Sequence, residues 1–581
     1  MFALWYDAST RSVSAVNGSG RSAAASSIRD VKMAYPPSSS SSEEEDEELL
    51  HSRYRDGVHA ITVPGAAMGW EDVHREYGSG RLSLSDLLGP AIRLAEDGFP
   101  VGPMTSYAWR SQMDVVTRWH AREEEEDAEG GGGGKIELGV DGTGRGPRPG
   151  EVFRNPNLAR VLRGVGERGA RDGFYRGFPG EAIVEAVRRH GGSMTIDDLA
   201  NHTSSTFPEP IFVDYRGMRV WEVPPNGQGV AGLIALEGLG SLERNGIVGG
   251  GGRATSPRSP REDDGPSSDE GSTHRRRHHP QPSCDMLHAQ IEMMRLGFGD
   301  ARAYVCDPDF AAREESTTKW LLNSERISQR AMGLFDEEKA TIHGRPDSTS
   351  CTVSFQVVDG EGNAMSFVNR YVYFSCPVCY FLFGYSVSRP IRSSTTACVA
   401  SAQKQTNRNS NYMGFGTGLT PANCGFTLQN RGAGFSLDPS HPNALEPNKR
   451  PYHTIIPAMV THADTGELYA TLTNMGGFMQ PQGHLQLVVN LLAYGMDPQT
   501  AIDAPRFCIG DGTMNGTVFL EEGFHPDTIA KLKSMGHNMK ANISGHERHW
   551  FGRAQIITRD RDSGVLCAGS DGRADGCALG Y

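Results

Sequence analysis

A threonine that opens a strand carries the most chemistry in this sequence. In Cys351-Thr352-Val353-Ser354-Phe355-Gln356-Val357-Val358, apolar Val353, Phe355 and Val357 alternate with Thr352, Ser354 and Gln356, the period of a β-strand. Asp359 to Asn363 is turn chemistry, and Ala364 to Asn369 reads as the returning strand. If the chain is cut just before Thr352, the freed α-amine lies beside the threonine's own hydroxyl and can act as its base. Threonine is also an ordinary strand residue, so this stretch alone leaves both readings open.

Other motifs narrow the choice. Downstream lie Asn411-Tyr412-Met413-Gly414-Phe415-Gly416, then Leu428-Gln429-Asn430-Arg431-Gly432-Ala433-Gly434-Phe435-Ser436. These are followed by Pro447-Asn448-Lys449-Arg450-Pro451-Tyr452-His453-Thr454 and Asn474-Met475-Gly476-Gly477-Phe478. Upstream lie Val63-Pro64-Gly65-Ala66, Asn155-Pro156-Asn157-Leu158-Ala159 and Pro224-Pro225-Asn226-Gly227-Gln228-Gly229. In order and spacing the chain resembles the gamma-glutamyltranspeptidase family. The resemblance is nearest to its amidohydrolase branch, which includes oxamate amidohydrolase and acylase-like members. It covers most of the chain outside four biased inserts.

The resemblance implies an α+β fold, the four-layer αββα sandwich of N-terminal-nucleophile hydrolases. It implies an autoprocessed enzyme in which the Cys351–Thr352 bond is cut, leaving a large region, 1–351, and a catalytic region, 352–581. Thr352 then forms an acyl-enzyme with an amide substrate. Gly476 and Gly477 match the pair that stabilises the oxyanion. Two glycines allow close backbone approach, and amides at a helix N-terminus favour a developing anion. Ser410 matches a hydroxyl that supports the nucleophile. Arg21 matches the arginine that grips the substrate's α-carboxylate, a task suited to a planar guanidinium. No cofactor and no metal is implied. The expected partners are a small-molecule amide and the chain's own second fragment, with further oligomerisation left open.

Some positions depart from the pattern. His453 and Thr454 stand where transpeptidases carry two serines; Thr454 keeps a hydroxyl, whereas His453 is read equally as a packed histidine. Tyr412 replaces an asparagine that holds the substrate's α-ammonium. Arg431 to Gly434 occupy the segment of the acidic pair that does the same, so Arg431 and Gly434 are candidate substrate-binding residues of altered character. A cation loses its partners there, and an inward Arg431 repels it. The expectation is weak activity on glutathione and better activity on an amide without a free ammonium. A true glutathione hydrolase is the alternative within the family. An inactive homologue or a defective gene model that never matures is the alternative outside it.

Composition limits other classes. A net charge of −13 argues against a general nucleic-acid surface. The basic run Arg275-Arg276-Arg277-His278-His279 lies in a biased segment and reads as solvated. Cys376-Pro377-Val378-Cys379 has no second pair to complete a zinc site. No secretory signal opens the chain, and the apolar stretch Tyr371–Tyr385 is shorter than the roughly 20 residues a membrane helix needs. No membrane partner is expected, and the cytoplasm is favoured over a compartment otherwise unknown.

The elements that must position these residues are partly readable. Met1–Ala8 and Ser12–Asn17 read as a hairpin, and Tyr215–Val223 and Leu468–Asn474 as strands. Helical patterns cover Leu82–Glu96, Asn157–Gly169, Gly180–His190, Met286–Leu296 and His484–Leu492. Family members carry an Ala-rich helix and a Gly-rich turn ahead of the first hairpin, so a truncated N-terminus is expected. Segments 38–48, 123–134 and 249–282 are low in apolar residues and expected to be disordered. A fourth, about 371–409, interrupts a core hairpin and is read as translated intron or surface loop.

Overall fold

The computed structural model describes residues 1–36, 43–126, 135–249, 282–341, 353–369, 415–510, 512 and 516–580. Cys351, Thr352, Ser410 and Tyr412 lie outside these residues, as do 250–281 and the 371–409 insert.

Two antiparallel sheets face one another. The first has five strands in the order Ser205–Phe207, Ser12–Asn17, Phe2–Asp7, Ala364–Asn369, Val353–Val358. The second has six, in the order Leu566–Ser570, Arg553–Arg559, Leu468–Met475, Ala458–His462, Met218–Glu222, Ile211–Tyr215. Alternation along the strands explains the layers. Phe2, Leu4 and Tyr6 join Trp221, Met459, Leu468 and Ile557 in a core between the sheets. Ala3, Val16, Phe355 and Phe367 face the other way, against the helices Ala66–Tyr77, Leu84–Asp97 and Pro156–Ala170. Val220, Val460, Leu472 and Ile556 pack on the helices Gly229–Arg244, Cys284–Tyr304 and Met479–Leu492. The result is helices, sheet, sheet, helices, the α+β sandwich expected.

Four local readings need correction. Tyr215–Val223 is not one strand. Arg216 and Gly217 take φ of 50° and 79° and turn the chain between two paired strands. Such a turn is favoured in hairpins because it matches strand twist. The acidic run at 43–48 opens the helix Glu43–Asp56. The fully buried Tyr54 anchors this helix beside Phe435 and Leu437. Residues 123–126 likewise continue the helix Met113–Glu126. The helix read as Met286–Leu296 runs from Cys284 to Tyr304, buried on nearly every side, so no single apolar stripe marks its ends. Among the described residues, no helix is long and apolar enough to cross a membrane.

A buried ionic cluster closes the second sheet. Asp571 accepts from Arg506 Nη2 at 2.8 Å and Arg573 Nη1 at 3.1 Å, while Arg573 also pairs with Glu521. Burial pushes the Asp571 carboxyl up, but Arg506 and Arg573 outweigh it and hold the group well below the usual carboxylate range. A depressed folded value stabilises the native state above the unfolded value, and this contribution is lost as pH falls. Asp571→Asn therefore lowers stability at neutral pH by about 3–5 kcal/mol. Urea unfolding of matched samples checks this, and the gap from wild type narrows as pH is taken below the ordinary carboxylate range.

Candidate active site

The strand pairings bring one end of each sheet together. In the first sheet Phe2 lies opposite Asn17 and Val368, and Val353 opposite Asn369. The strand that should begin just after the cleavage point thus starts at the same end as the first hairpin's open end. In the second sheet Ala458 pairs with Glu222, and Met475 with Arg553. The loops leaving these ends are Gly18–Arg21, Val223–Gln228, His453–Pro457 and Gly476–Phe478.

Polar side chains fasten the loops. Asn17 Nδ2 donates to Asn226 Oδ1 at 2.9 Å, and Asn226 Nδ2 donates to Ser19 Oγ and Pro451 O. Gln228 Nε2 donates to Thr454 O at 2.8 Å and Gly477 O at 2.7 Å. Its backbone N–H donates to His453 O, and the His453 N–H to Asn226 O. Asn226 and Gln228 belong to a motif visible in the sequence, but nothing in that motif marked them as the residues that join the site's loops. Opposite the sheets, Gln356 Nε2 donates to Thr473 Oγ1 across the sandwich at 3.0 Å. A polar contact therefore lies between the sheets partway along the Val353–Val358 strand.

Gly476 and Gly477 follow the strand Leu468–Met475 with φ of 140° and 65°. Only glycine takes such angles cheaply. A Cβ on Gly476 would also come within 3.1 Å of both Gly552 Cα and Met479 Cβ. The carbonyls of both glycines accept from Met479 and Gln480 at the start of the next helix. Among the described residues, their N–H groups have no acceptor. Two adjacent amides at a helix start, held by their own carbonyls, can receive an oxyanion. Beneath them, Asn474 donates its backbone N–H to His484 Nε2, and His484 Nδ1 donates to the buried Glu222 at 2.6 Å.

A cavity opens against these loops, lined by Ser19, Gly20, Thr62, Val63, Phe174, Phe426, Gln429, Arg431 and His453, among others. Arg431 carries the only charged side chain among the described lining residues, and no carboxylate is among them. Arg431 is 3% exposed, and its Nη1 donates to Thr454 Oγ1 at 3.1 Å. The tight turn Arg431–Gly434 is held by Tyr54, whose hydroxyl donates to Gly432 O. A Cβ on Gly434 would lie 2.5 Å from Tyr452 O and 3.3 Å from Arg431 Nη2. Glycine there leaves room for the guanidinium. His453 lines the cavity against the Phe2 ring, and its Nδ1 accepts from Ile455 N. An accepting Nδ1 on neutral imidazole leaves the proton on Nε2.

Arg21 follows the lining residue Gly20, and its carbonyl accepts from Val63 N. The structure thus brings Arg21, Arg431, Gly434, His453, Thr454, Gly476 and Gly477 to the converging loops. One buried trio of metal-ligand type, His288, Glu292 and His537, lies elsewhere. His537 Nε2 and His288 Nδ1 are 2.7 Å apart, and Glu292 accepts from Arg295 and Thr341. These contacts form a hydrogen-bonded chain rather than an open ligand set.

The gamma-glutamyltranspeptidase family profile matches residues 1–378 and 390–581. The glutathione hydrolase-like YwrD proenzyme of Bacillus subtilis is 31% identical over all of this chain and 89% of its own length. The oxamate amidohydrolase proenzyme of Klebsiella pneumoniae is 27% identical over 90% of this chain and 81% of its own. The crystal structure of a cephalosporin acylase from Bacillus halodurans superposes with a TM-score of 0.72 at 31% identity, covering all of this chain and 86% of that one. With two facing sheets, converging loops and a match along nearly its whole length, the chain belongs to the gamma-glutamyltranspeptidase family of enzymes.

Proposed function

We propose that this enzyme cuts its own Cys351–Thr352 bond and then uses Thr352 to hydrolyse amides whose acyl group carries a carboxylate but no α-ammonium. The observation that carries the substrate reading is Arg431. A buried guanidinium, with glycine at 434 beside it and no acid in the described cavity lining, suits an anion and opposes a cation.

The chemistry balances without a cofactor. The Thr352 hydroxyl attacks the Cys351 carbonyl, the amide shifts to an ester, and water releases residues 1–351 from an amino-terminal threonine. In turnover the new α-amine takes the hydroxyl proton as the oxygen attacks the substrate carbonyl. The Gly476 and Gly477 amides stabilise the resulting oxyanion. The amine leaves with a proton, and water or an acceptor amine resolves the acyl-enzyme. Thr352 is in phase with Gln356 in the period-two pattern of its strand, which supports a place for it on the polar inter-sheet side. Arg21 holds the substrate carboxylate, and Thr454 supplies a hydroxyl beside Arg431. Ser410 supports the nucleophile, and Tyr412 completes the altered ammonium site.

Mass spectrometry of the purified chain after incubation should find fragments 1–351 and 352–581, the second beginning with threonine. Thr352→Ala should stay intact and inactive. An intact wild-type chain that still turns over amides rules out this nucleophile, and an intact chain with no activity favours the inactive homologue.

Matched anilides test the substrate class. The expected kcat/KM is higher for the glutaryl than for the gamma-glutamyl anilide, and Arg431→Gln should bring the two closer. Loss of a charged hydrogen bond of about 1.5–3 kcal/mol corresponds to roughly a ten- to hundredfold change in that ratio. Equal values in the wild type refute this ranking, and a higher value for the gamma-glutamyl anilide favours a glutathione hydrolase.

A further inference from the structure

Arg21 is already holding a carboxylate, and that carboxylate is the protein's own. Arg21 Nη2 donates to Asp309 Oδ2 at 3.0 Å, with the Arg21 side chain 26% and the Asp309 side chain 64% exposed. Arg450 approaches the same oxygen, its Nη1 4.0 Å away. One exposed carboxylate oxygen thus lies between two guanidinium groups beside the loop that lines the cavity.

The two aspartates of this cluster differ in kind. Asp307 is wholly buried and accepts the backbone N–H groups of Arg450 and Asp309 at 2.8 and 3.3 Å. It fixes the loop. Asp309 stands on the short turn Pro308–Phe310, and among the described residues its carboxylate pairs with Arg21 and Arg450 alone. An ion pair this exposed is held weakly and can be exchanged. Arg450 is anchored apart from it, donating to Ser19 O and to Ser205 Oγ. Burial, then the neighbouring Arg21, push the Arg450 guanidinium down to about 10, with Asp307 and Asp309 opposing them. The adjacent His202 adds no charge at neutral pH, since burial and the same two arginines push it down to about 3. Two cations held together, one buried, with an exchangeable anion between them, have the form of an anion site in its occupied state.

We propose that Asp309 is a built-in competitor for the substrate carboxylate: it fills the Arg21–Arg450 site in the empty enzyme and must be displaced by an anionic substrate. The proposal rests on the reading of Arg21 as the carboxylate anchor. Displacement lowers apparent affinity by the fraction of time the site is self-occupied. An uncharged substrate leaves Asp309 where it is and gains nothing from its removal. Asp309 is thus a positioning residue that acts through Arg21.

The test uses the matured two-chain enzyme, glutarate as a non-reacting inhibitor, and glutaryl and butyryl anilides as charged and uncharged substrates. In Asp309→Asn, the Ki of glutarate falls and kcat/KM for the glutaryl anilide rises, each by about two- to fivefold, the range an exposed ion pair supports. The butyryl anilide is unaffected, a contrast that a merely structural role for Asp309 would not produce. Asp309→Ala repeats the direction. Arg21→Ala weakens glutarate binding and raises KM for the glutaryl anilide alone. If Arg21→Ala has these effects but Asp309→Asn binds glutarate no better than wild type, the competitor is overturned and the anchor stands. If Arg21→Ala changes neither quantity, the anchor reading fails, and the competitor with it.

Discussion

One side-chain amide sets the spacing of the candidate active site. Gln228 Nε2 has two hydrogens, and one goes to Thr454 O and the other to Gly477 O. Its Oε1 accepts the Tyr452 hydroxyl at 3.3 Å. Every group in this set is buried, so moving either loop alone would strand polar atoms without water to replace their partners. Gln228 also stands at the start of the helix Gly229–Arg244, where its carbonyl accepts from Ala231 N, and the body of that helix lies in the core outside the second sheet. The distance between the glycine amides and the recognition loop is therefore inherited from core packing.

The charge in the site runs against the charge of the protein. The chain carries a net −13, yet the converging loops gather Arg21, Arg431 and Arg450. Net charge governs solubility and encounter; the local arrangement of dipoles and ions governs what a cavity accepts. Burying Arg431 is costly unless its donors are used, and its bond to Thr454 Oγ1 uses one of them. The glycine at 434 matters for what it omits. A carboxylate there would neutralise Arg431 and restore a partner for an ammonium, and even its Cβ would press on Tyr452 O. Recognition of charge at this site is thus coupled to backbone packing as well as to side-chain type.

Several strands were legible in the sequence because they have two different faces, while their layering into a sandwich was implied by the family resemblance. Phe2, Leu4 and Tyr6 alternate with Ala3 and Trp5, and each set meets a different core. The helical patterns read over Leu82–Glu96 and Asn157–Gly169 correspond to the helices Leu84–Asp97 and Pro156–Ala170, which Ser83 and Asn155 cap. Legibility failed where tertiary context decides. The acidic run at 43–48 looked solvated, but Tyr54 anchors its helix from the far end. The hairpin at Arg216-Gly217 was hidden because an arginine with positive φ is rare in sequence statistics. In the candidate site, Arg21, His453 and the glycine pair were proposed through motif order. Asn226, Gln228 and Asp309 were not, because their roles lie in partners 207 to 288 residues away. No local pattern encodes such pairings.

The division of labour within the loops has a consequence for how activities in this fold can differ. The groups at Gly476 and Gly477 that can meet an oxyanion are backbone amides, fixed by positive φ angles and by carbonyls tied into the next helix. Side-chain substitutions around the cavity leave them in place as long as Gln228 and the Asn474–His484–Glu222 chain remain bonded. The groups proposed to sort substrates by charge are the side chains at 431, 453 and 454, with the bare backbone of Gly434 beside them, on a turn and a loop supported from outside by Tyr54 and Tyr452. On this reading, replacing the charge of the side chain at 431 changes the potential in the cavity without touching the glycine amides. Substrate choice can therefore move from a cationic to an anionic acyl group while the geometry for amide cleavage stays constant.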